Sequence, residues 1–457
     1  MMQTKNIRIV LITFLVATLG VYLNSAQAEP DEIEAEFAVS WDNNNRALTT
    51  ATNSPDGARL PQVAVAPNGT ELMVVFNHQE SGSASDNDPY FVFSNTNGTT
   101  WSTPRPIFTS NENSIQPSVT FDSQNDAHAV WVEDEVELFY APQDTNDQTV
   151  FSAPSQIVSG AGGIVAEVDS PKIVASSGNV LDVVWIERNQ NASIGFGTPD
   201  VYHARSLNGG STWNSSSSSL LSAVASRAPD IRIGINNQVI DLVWQEELSS
   251  NRWVIRYSKS TDGGASWSFP IQISDNANDR SAERPSIVNK NGVFEVIYTE
   301  KDVGTAAEFL EDQQVRYVSC LSSDCTVPAN WEASIKASGF DVGANTNNSE
   351  VIISGMATLD DCTIVSYHGT IDGLPDNNEV LFNTTSCEQD EWIIPNQVTG
   401  SSVRSIRPSL ATQGDFVYMV FTRAGESPSS EDQIRFFRGE LEEFVEIPTI
   451  YLPLIFR

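Results

Sequence analysis

Short apolar runs that close on an aromatic recur along the chain: Met73-Val-Val-Phe76, Ala129-Val-Trp131, Val183-Val-Trp185, Leu242-Val-Trp244, Val296-Ile-Tyr298, Ile364-Val-Ser-Tyr367 and Met419-Val-Phe421. Near-continuous apolarity over so few residues predicts strands buried on both faces. A proline-led strand precedes most of them, with prolines at 61, 117, 171, 229, 285 and 408. The first four gaps are 56, 54, 58 and 56 residues and the last is 123, two units with one proline lost, which Glu350-Val-Ile-Ile-Ser fills. A third strand follows each run, as in Ile255-Arg-Tyr257 and Val315-Arg-Tyr317, and a fourth opens on Trp101, Phe151, Trp213, Trp267, Trp331 or Trp392. No stretch has helical amphipathic periodicity. Four strands repeated every 50 to 65 residues predict an all-β propeller of four-stranded blades. Seven blades are expected, with Trp41 as the missing opening aromatic, so that an N-terminal strand closes the last sheet; six blades, with one unit misread, is the alternative.

Between the third and fourth strands stand three related turns: Ser94-Asn-Thr-Asn-Gly98-Thr-Thr-Trp101, Ser206-Leu-Asn208-Gly-Gly210-Ser-Thr-Trp213 and Ser260-Thr-Asp262-Gly-Gly264-Ala-Ser-Trp267. An Asp or Asn side chain can accept backbone N–H groups inside such a turn, a glycine supplies positive φ, and the tryptophan anchors the turn to the core. The pattern resembles the Asp-box of the sialidase superfamily, whose repeats build β-propellers. In a fifth unit Cys320 and Cys325 bracket the same slot before Trp331, and in a sixth Cys362 opens the second strand while Cys387 ends the third, so two local disulfides are expected.

Composition narrows the setting. Lys5 and Arg8 precede an apolar run from Ile9 to Val21 and then Ser25-Ala-Gln-Ala28, the layout of a signal peptide over residues 1–28. Residues 29–447 then form one propeller domain, with a short apolar tail at 448–457, no transmembrane span in the mature chain and a secreted or cell-surface location. The 59 acidic against 25 basic residues give a net charge of −34, which excludes nucleic acid as a natural partner. No cysteine or histidine spacing suits a metal, and no cofactor motif is present.

In a propeller the start of each first strand and the end of each second strand meet at one face. Expected at that face are Arg59, Gln116, Ser170, Arg227, Arg284 and Arg407 with, two positions beyond the second-strand aromatics, His78, Glu133, Glu187, Glu246 and Glu300. Arginines suit a carboxylate ligand by bidentate bonding; the same residues can instead bridge adjacent blades. The sialidase resemblance implies more: Arg59-Leu-Pro61 is similar to the family's Arg-Ile-Pro, Asp86 or Asp88 stands where an acid/base aspartate is expected, and Glu246 and Tyr367 stand in blade order for the glutamate-activated tyrosine nucleophile. An arginine expected soon after the catalytic glutamate is replaced by Trp244-Gln-Glu-Glu247. The expectation is a propeller that binds an extracellular glycan or surface protein with weak or no catalysis. The alternative is an active exo-α-sialidase-like hydrolase.

Overall fold

The computed structural model describes residues 35–445 other than 43–45, 51–56, 80–85, 146, 159–164, 192–194, 216–224, 234–237, 250–251, 276–278, 303–313, 338–351, 360–361, 371–377, 386–391, 393–395, 400–402 and 426–431. The expected signal peptide, the expected 448–457 tail and Cys387 fall outside these. The chain divides into a compact unit of Phe37–Glu443 and a second of Met1–Glu36 with Phe444–Arg457. Seven antiparallel sheets follow one another through the first, which sets aside the six-bladed alternative. Blade 1 is Ala58–Val65, Leu72–Gln79, Asn87–Ser94 and Arg105–Pro106 from inside outward. Blades 2 to 6 repeat this plan with inner strands Ser114–Phe121, Val165–Ser176, Ser226–Ile233, Arg280–Lys290 and Ile352–Leu359. Blade 7 is built on Ser405–Gln413, Phe416–Arg423 and Gln433–Val445, with Ala35–Trp41 beside the last. In that blade Arg46–Ala47 pairs with Phe436 and Arg435, as Arg105–Pro106 pairs with Phe91 and Tyr90 in blade 1.

The core lies in the seams between blades. One cluster joins Val130, Val132 and Tyr140 of blade 2 to Ile173, Val183 and Trp185 of blade 3; another joins Val74 and Phe76 of blade 1 to Tyr418, Val420 and Phe436 of blade 7. Each seam carries the same aromatic contact, a third-strand ring against the opening aromatic of the next blade. The pairs are Phe91–Phe151, Tyr140–Trp213, His203–Trp267, Tyr257–Trp331, Tyr317–Trp392, Phe382–Trp41 and Phe436–Trp101, with centroids 4.9–5.6 Å apart and ring planes at 65–88°. Edge-to-face geometry is the one the ring quadrupoles favour. Trp41 makes the contact for blade 7 that the other opening aromatics make elsewhere.

The three glycine turns share one hydrogen-bond scheme. The oxygens of Ser94, Ser206 and Ser260 accept the amides of Gly98, Gly210 and Gly264 at 3.0, 2.8 and 2.8 Å. Thr96, Asn208 and Asp262, three different side chains, each accept the amide four residues on, at 2.9, 2.9 and 2.8 Å. In blade 5 a Cys320–Cys325 disulfide takes the place of this scheme, and Trp331 Nε1 donates to Cys325 O at 2.8 Å. Cys362 is also disulfide-bonded. Among the described residues no helix is long and apolar enough to cross a membrane.

Candidate functional site

The inner strands carry an irregularity that the sequence did not announce. In the first five blades and the seventh, pairing with the second strand slips by one residue at an X-Pro step, as between Arg59 and Gln62, Glu283 and Ser286, and Ile406 and Ser409. In five of these blades the residue before the proline is left-handed: φ is 56° at Leu60, 56° at Gln116, 53° at Ser170, 57° at Arg284 and 55° at Arg407. A side chain with positive φ is strained. Repetition of the same strained bulge around one opening marks a position that the surrounding structure over-determines.

Side chains of the preceding blade hold the bulges. Asn77 Oδ1 accepts the Gln116 amide at 3.1 Å, Gln116 Oε1 that of Ser170 at 2.7 Å, Gln245 Oε1 that of Arg284 at 2.8 Å and His368 Nδ1 that of Arg407 at 3.1 Å. A second tier lies deeper: Ser409, Ser118 and Asp230 accept the amides of Val63, Ile173 and Ile287. Inner-strand N–H groups that would otherwise face the opening unpaired are thereby satisfied.

These bulges line a central cavity of about 1020 Å³. Leu60, Gln116, Ser170, Arg284 and Arg407 border it, with Gln245 and Trp253 of blade 4; from blade 6, Met356 does. Its charged lining is Asp169, Asp230 and Glu283 against Lys172, Arg284, Lys301 and Arg407, a basic excess in a chain whose net charge is −34. The carboxylates are engaged: Asp169 accepts Gln116 Nε2 at 2.6 Å, Asp230 accepts Ser286 Oγ at 2.9 Å, and Glu283 pairs with Lys301 at 2.9 Å. Arg284 of blade 5 and Arg407 of blade 7 flank blade 6. Between them His368 is fully buried, and burial, followed by the charges of Arg284, Arg407 and Arg404, lowers its pKa to about 3. Since its Nδ1 accepts the Arg407 amide, the neutral ring carries its proton on Nε2.

Several expected site residues stand elsewhere. Arg59 precedes the bulge residue rather than occupying its slot, which in blade 1 belongs to Leu60; its Nε donates to Asp432 Oδ2 at 2.6 Å across the seam between blades 1 and 7. Arg227 has the same offset, opposite Gln245, and its side chain lies outside the described residues. The glutamates do not ring the opening. Two residues along a strand share a face, so each follows its aromatic into the sheet seam. There they find partners within their own blade or in the loop leading into it. Glu133 accepts from Ser110, Ser114 and Trp131 Nε1, and Glu187 from Trp185 Nε1 at 3.0 Å. Glu246 pairs with Arg256 at 2.7 Å, and Glu300 with Arg280 at 3.1 Å. Burial raises the carboxyls of Glu187 and Glu300 above the ordinary range despite these partners. The ion pairs Glu246–Arg256 and Glu300–Arg280 are thus internal to blades, whereas Arg59 bridges blades 1 and 7.

The supposed catalytic trio is not assembled at the cavity. Asp88 is buried and accepts the Ser110 amide at 3.1 Å. Tyr367 is 0% exposed in the seam between blades 5 and 6, its hydroxyl buried without a partner among the described residues and its pKa pushed up by burial. Glu246 is two blades away, and none of the three borders the cavity. The residues that do face the bulges, Asn77, Gln245 and His368, come one position after the second-strand aromatic. Counting one step from Phe76, Trp244 and Tyr367 would have found them. Among the described residues no group of carboxylate, histidine or cysteine side chains is disposed to hold a metal ion.

No family model and no curated protein matches the chain. Similar solved structures include sialidases and an arabinanase. Phage phi92 endosialidase is 12% identical with a TM-score of 0.48, over 91% of this chain and 71% of that one. A Penicillium chrysogenum α-L-arabinanase complexed with arabinobiose is 12% identical with a TM-score of 0.46, over 71% and 92%. A Dyadobacter fermentans protein of unknown function is 14% identical with a TM-score of 0.47, over 89% and 98%. Values this low leave the chemistry of the chain to its own residues.

Proposed function

We propose that this protein binds an acidic glycan outside the cell, taking a carboxylate between Arg284 and Arg407 at the channel mouth, and that it does so with weak or no hydrolysis. The observation that carries this reading is the arrangement around blade 6: two arginines on the same cavity wall, flanking a buried imidazole that is kept neutral and cannot compete with them for an anion. Guanidinium groups bind carboxylates through paired, charge-assisted hydrogen bonds. Against turnover stands the burial of Asp88 and Tyr367 and the pairing of Glu246 with Arg256. An exported location is supported by the leader-like start of the sequence and by the Cys320–Cys325 disulfide.

The test pairs binding with turnover. The purified chain and its Arg284→Ala, Arg407→Ala, double and Arg59→Ala variants are compared by calorimetry on sialylated and uronic-acid glycans, and on a fluorogenic sialoside. Acidic glycans should bind the parent and Arg59→Ala alike and the double variant at least tenfold more weakly, since each lost charge-assisted bond is worth about 1.5–3 kcal/mol. Fluorophore release by the parent that vanishes in Tyr367→Phe would establish the alternative, an active exo-α-sialidase-like hydrolase.

A further inference from the structure

Repetition makes departures visible, and one departure lies in the cavity wall. The position four residues before each third-strand seam aromatic is Asn87, Val136, Pro199, Asn378 and Asp432 in blades 1, 2, 3, 6 and 7, but Trp253 in blade 4. Small or polar residues suit this end of a blade, because the strand has left the apolar seam there. At this position Asp432 reaches the inner strand of the next blade through Arg59. Trp253 reaches blade 5 in a similar way, its amide donating to Ser281 Oγ at 3.0 Å. Its indole is half-buried and borders the cavity, and among the described residues that line it Trp253 is the single aromatic. Nothing in the repeat requires an indole here.

The surroundings are a ring of fixed polar groups. Ser281 Oγ donates to Glu283 Oε1 at 2.9 Å, Lys301 holds the same carboxylate, and Gln245 holds the Arg284 amide. All but Ser281 border the same cavity. A flat apolar ring in a cavity that also carries a carboxylate, an ammonium and an amide suits a pyranose, whose C–H face is apolar and whose hydroxyls point outward in the ring plane. Arg284 ties this platform to the basic wall, since it follows Glu283 directly and flanks His368 on its other side.

We infer that Trp253 is the platform of a second sugar subsite, so that the ligand is an acidic oligosaccharide, with its carboxylate on Arg284 and Arg407 and an adjoining sugar ring stacked on Trp253. The inference rests on the acidic-glycan reading above. The experiment uses the full chain, with Trp253→Ala, Trp253→Phe and Arg407→Ala, titrated with glucuronic acid, N-acetylneuraminic acid, a hyaluronan tetrasaccharide and sialyllactose. Trp253→Ala should lose at least tenfold in affinity for the extended ligand that the parent binds, keep its affinity for the matching acid monosaccharide, and be largely rescued by Trp253→Phe. Arg407→Ala should weaken monosaccharide and oligosaccharide together. If Trp253→Ala weakens both equally, or neither, the platform is refuted while the arginine site stands. If the parent binds none of the acids, the arginine site falls and the subsite falls with it. Near-unchanged thermal unfolding of Trp253→Ala separates loss of a platform from loss of fold.

Discussion

At the end of the blades that carries the tight turns, all seven seams do the same thing; at the channel mouth they do not. Every seam joins a third-strand ring to the next opening aromatic at 4.9–5.6 Å, whether the partner is Phe, Tyr, His or Trp. At the mouth the bulge residue is Leu60, Gln116, Ser170, Arg284 or Arg407, the inner strand of blade 6 has no proline, and among the described lining residues blade 4 alone supplies an indole. Uniformity is what a closing ring demands of its joints, because each seam must turn the chain through the same angle. Diversity is affordable where a side chain faces water and ligand. A site in a repeat protein is therefore to be sought where the repeat breaks, provided that the backbone beneath it does not. Here that backbone is the bulge at the X-Pro step, common to the proline-bearing blades.

The sharpest way to break the uniform end is to fill a turn. Gly210 has φ of +83°, and a Cβ built on it would meet the Tyr140 ring at 2.1 Å. That ring cannot retreat: it is 2% exposed, its hydroxyl donates to Gly209 O at 2.9 Å and it contacts His128 Nδ1 at 2.7 Å. Gly210→Ala should cost about 4 kcal/mol, from overpacking together with a left-handed non-glycine residue. Urea unfolding measures it. A loss below about 1 kcal/mol would mean that the seams are softer than their repetition suggests.

At the other end the sharper probe is acid. The folded pKa of His368, about 3, lies below its ordinary 6.5, so the unfolded chain takes up the proton first as pH falls. The stability linked to His368 is then complete above pH 6.5 and drains away between about 6.5 and 3, by up to about 1.4 kcal/mol per pH unit. His368→Gln keeps an acceptor for the Arg407 amide, as Gln245 provides one for Arg284, and removes the titration. Unfolding curves of the two proteins should run parallel above pH 6.5 and diverge below it, with the parent losing more. Parallel curves down to pH 4 would show that the imidazole is not held neutral by burial and the arginines.

Much of the uniform end was legible in the chain, and little of the mouth was. Runs such as Leu242-Val-Trp244 announce a doubly buried strand because nothing else tolerates unbroken apolarity over so short a length. The glycines and tryptophans of the turns announce themselves by chemistry that few other residues can supply, and counting opening aromatics led to Trp41. The mouth depends on parity. One step along a strand reverses the face, so Glu246 and Gln245 differ by one position and by everything else: one enters the seam, the other faces the neighbouring bulge. The bulges themselves run against propensity, since the residue before a proline is expected to be extended. Arg59 was misplaced for the same reason, one residue before the slot that Arg284 and Arg407 occupy.

The smallest expected effect bears on whether the bulges are strained at all. Ser170 has φ of 53° and borders the cavity, and its backbone amide is held by Gln116 Oε1 at 2.7 Å. Ser170→Gly leaves that amide and Pro171 in place. It removes a side chain from a left-handed position, worth about 1–2 kcal/mol, and adds backbone freedom to the unfolded chain, costing about 0.5–1 kcal/mol. The difference is a gain of roughly 0.5–1 kcal/mol, read as a rise in the urea midpoint at constant slope. Glycine on a relaxed strand would do the reverse. Replacing the exposed Ser155 with glycine, on the outer strand Ser155–Val158, provides that control. A midpoint that falls in Ser170→Gly would mean that the left-handed residue is at ease in its hydrogen-bonded frame. The repeated bulge would then be a packing solution rather than a strained platform held in place for binding.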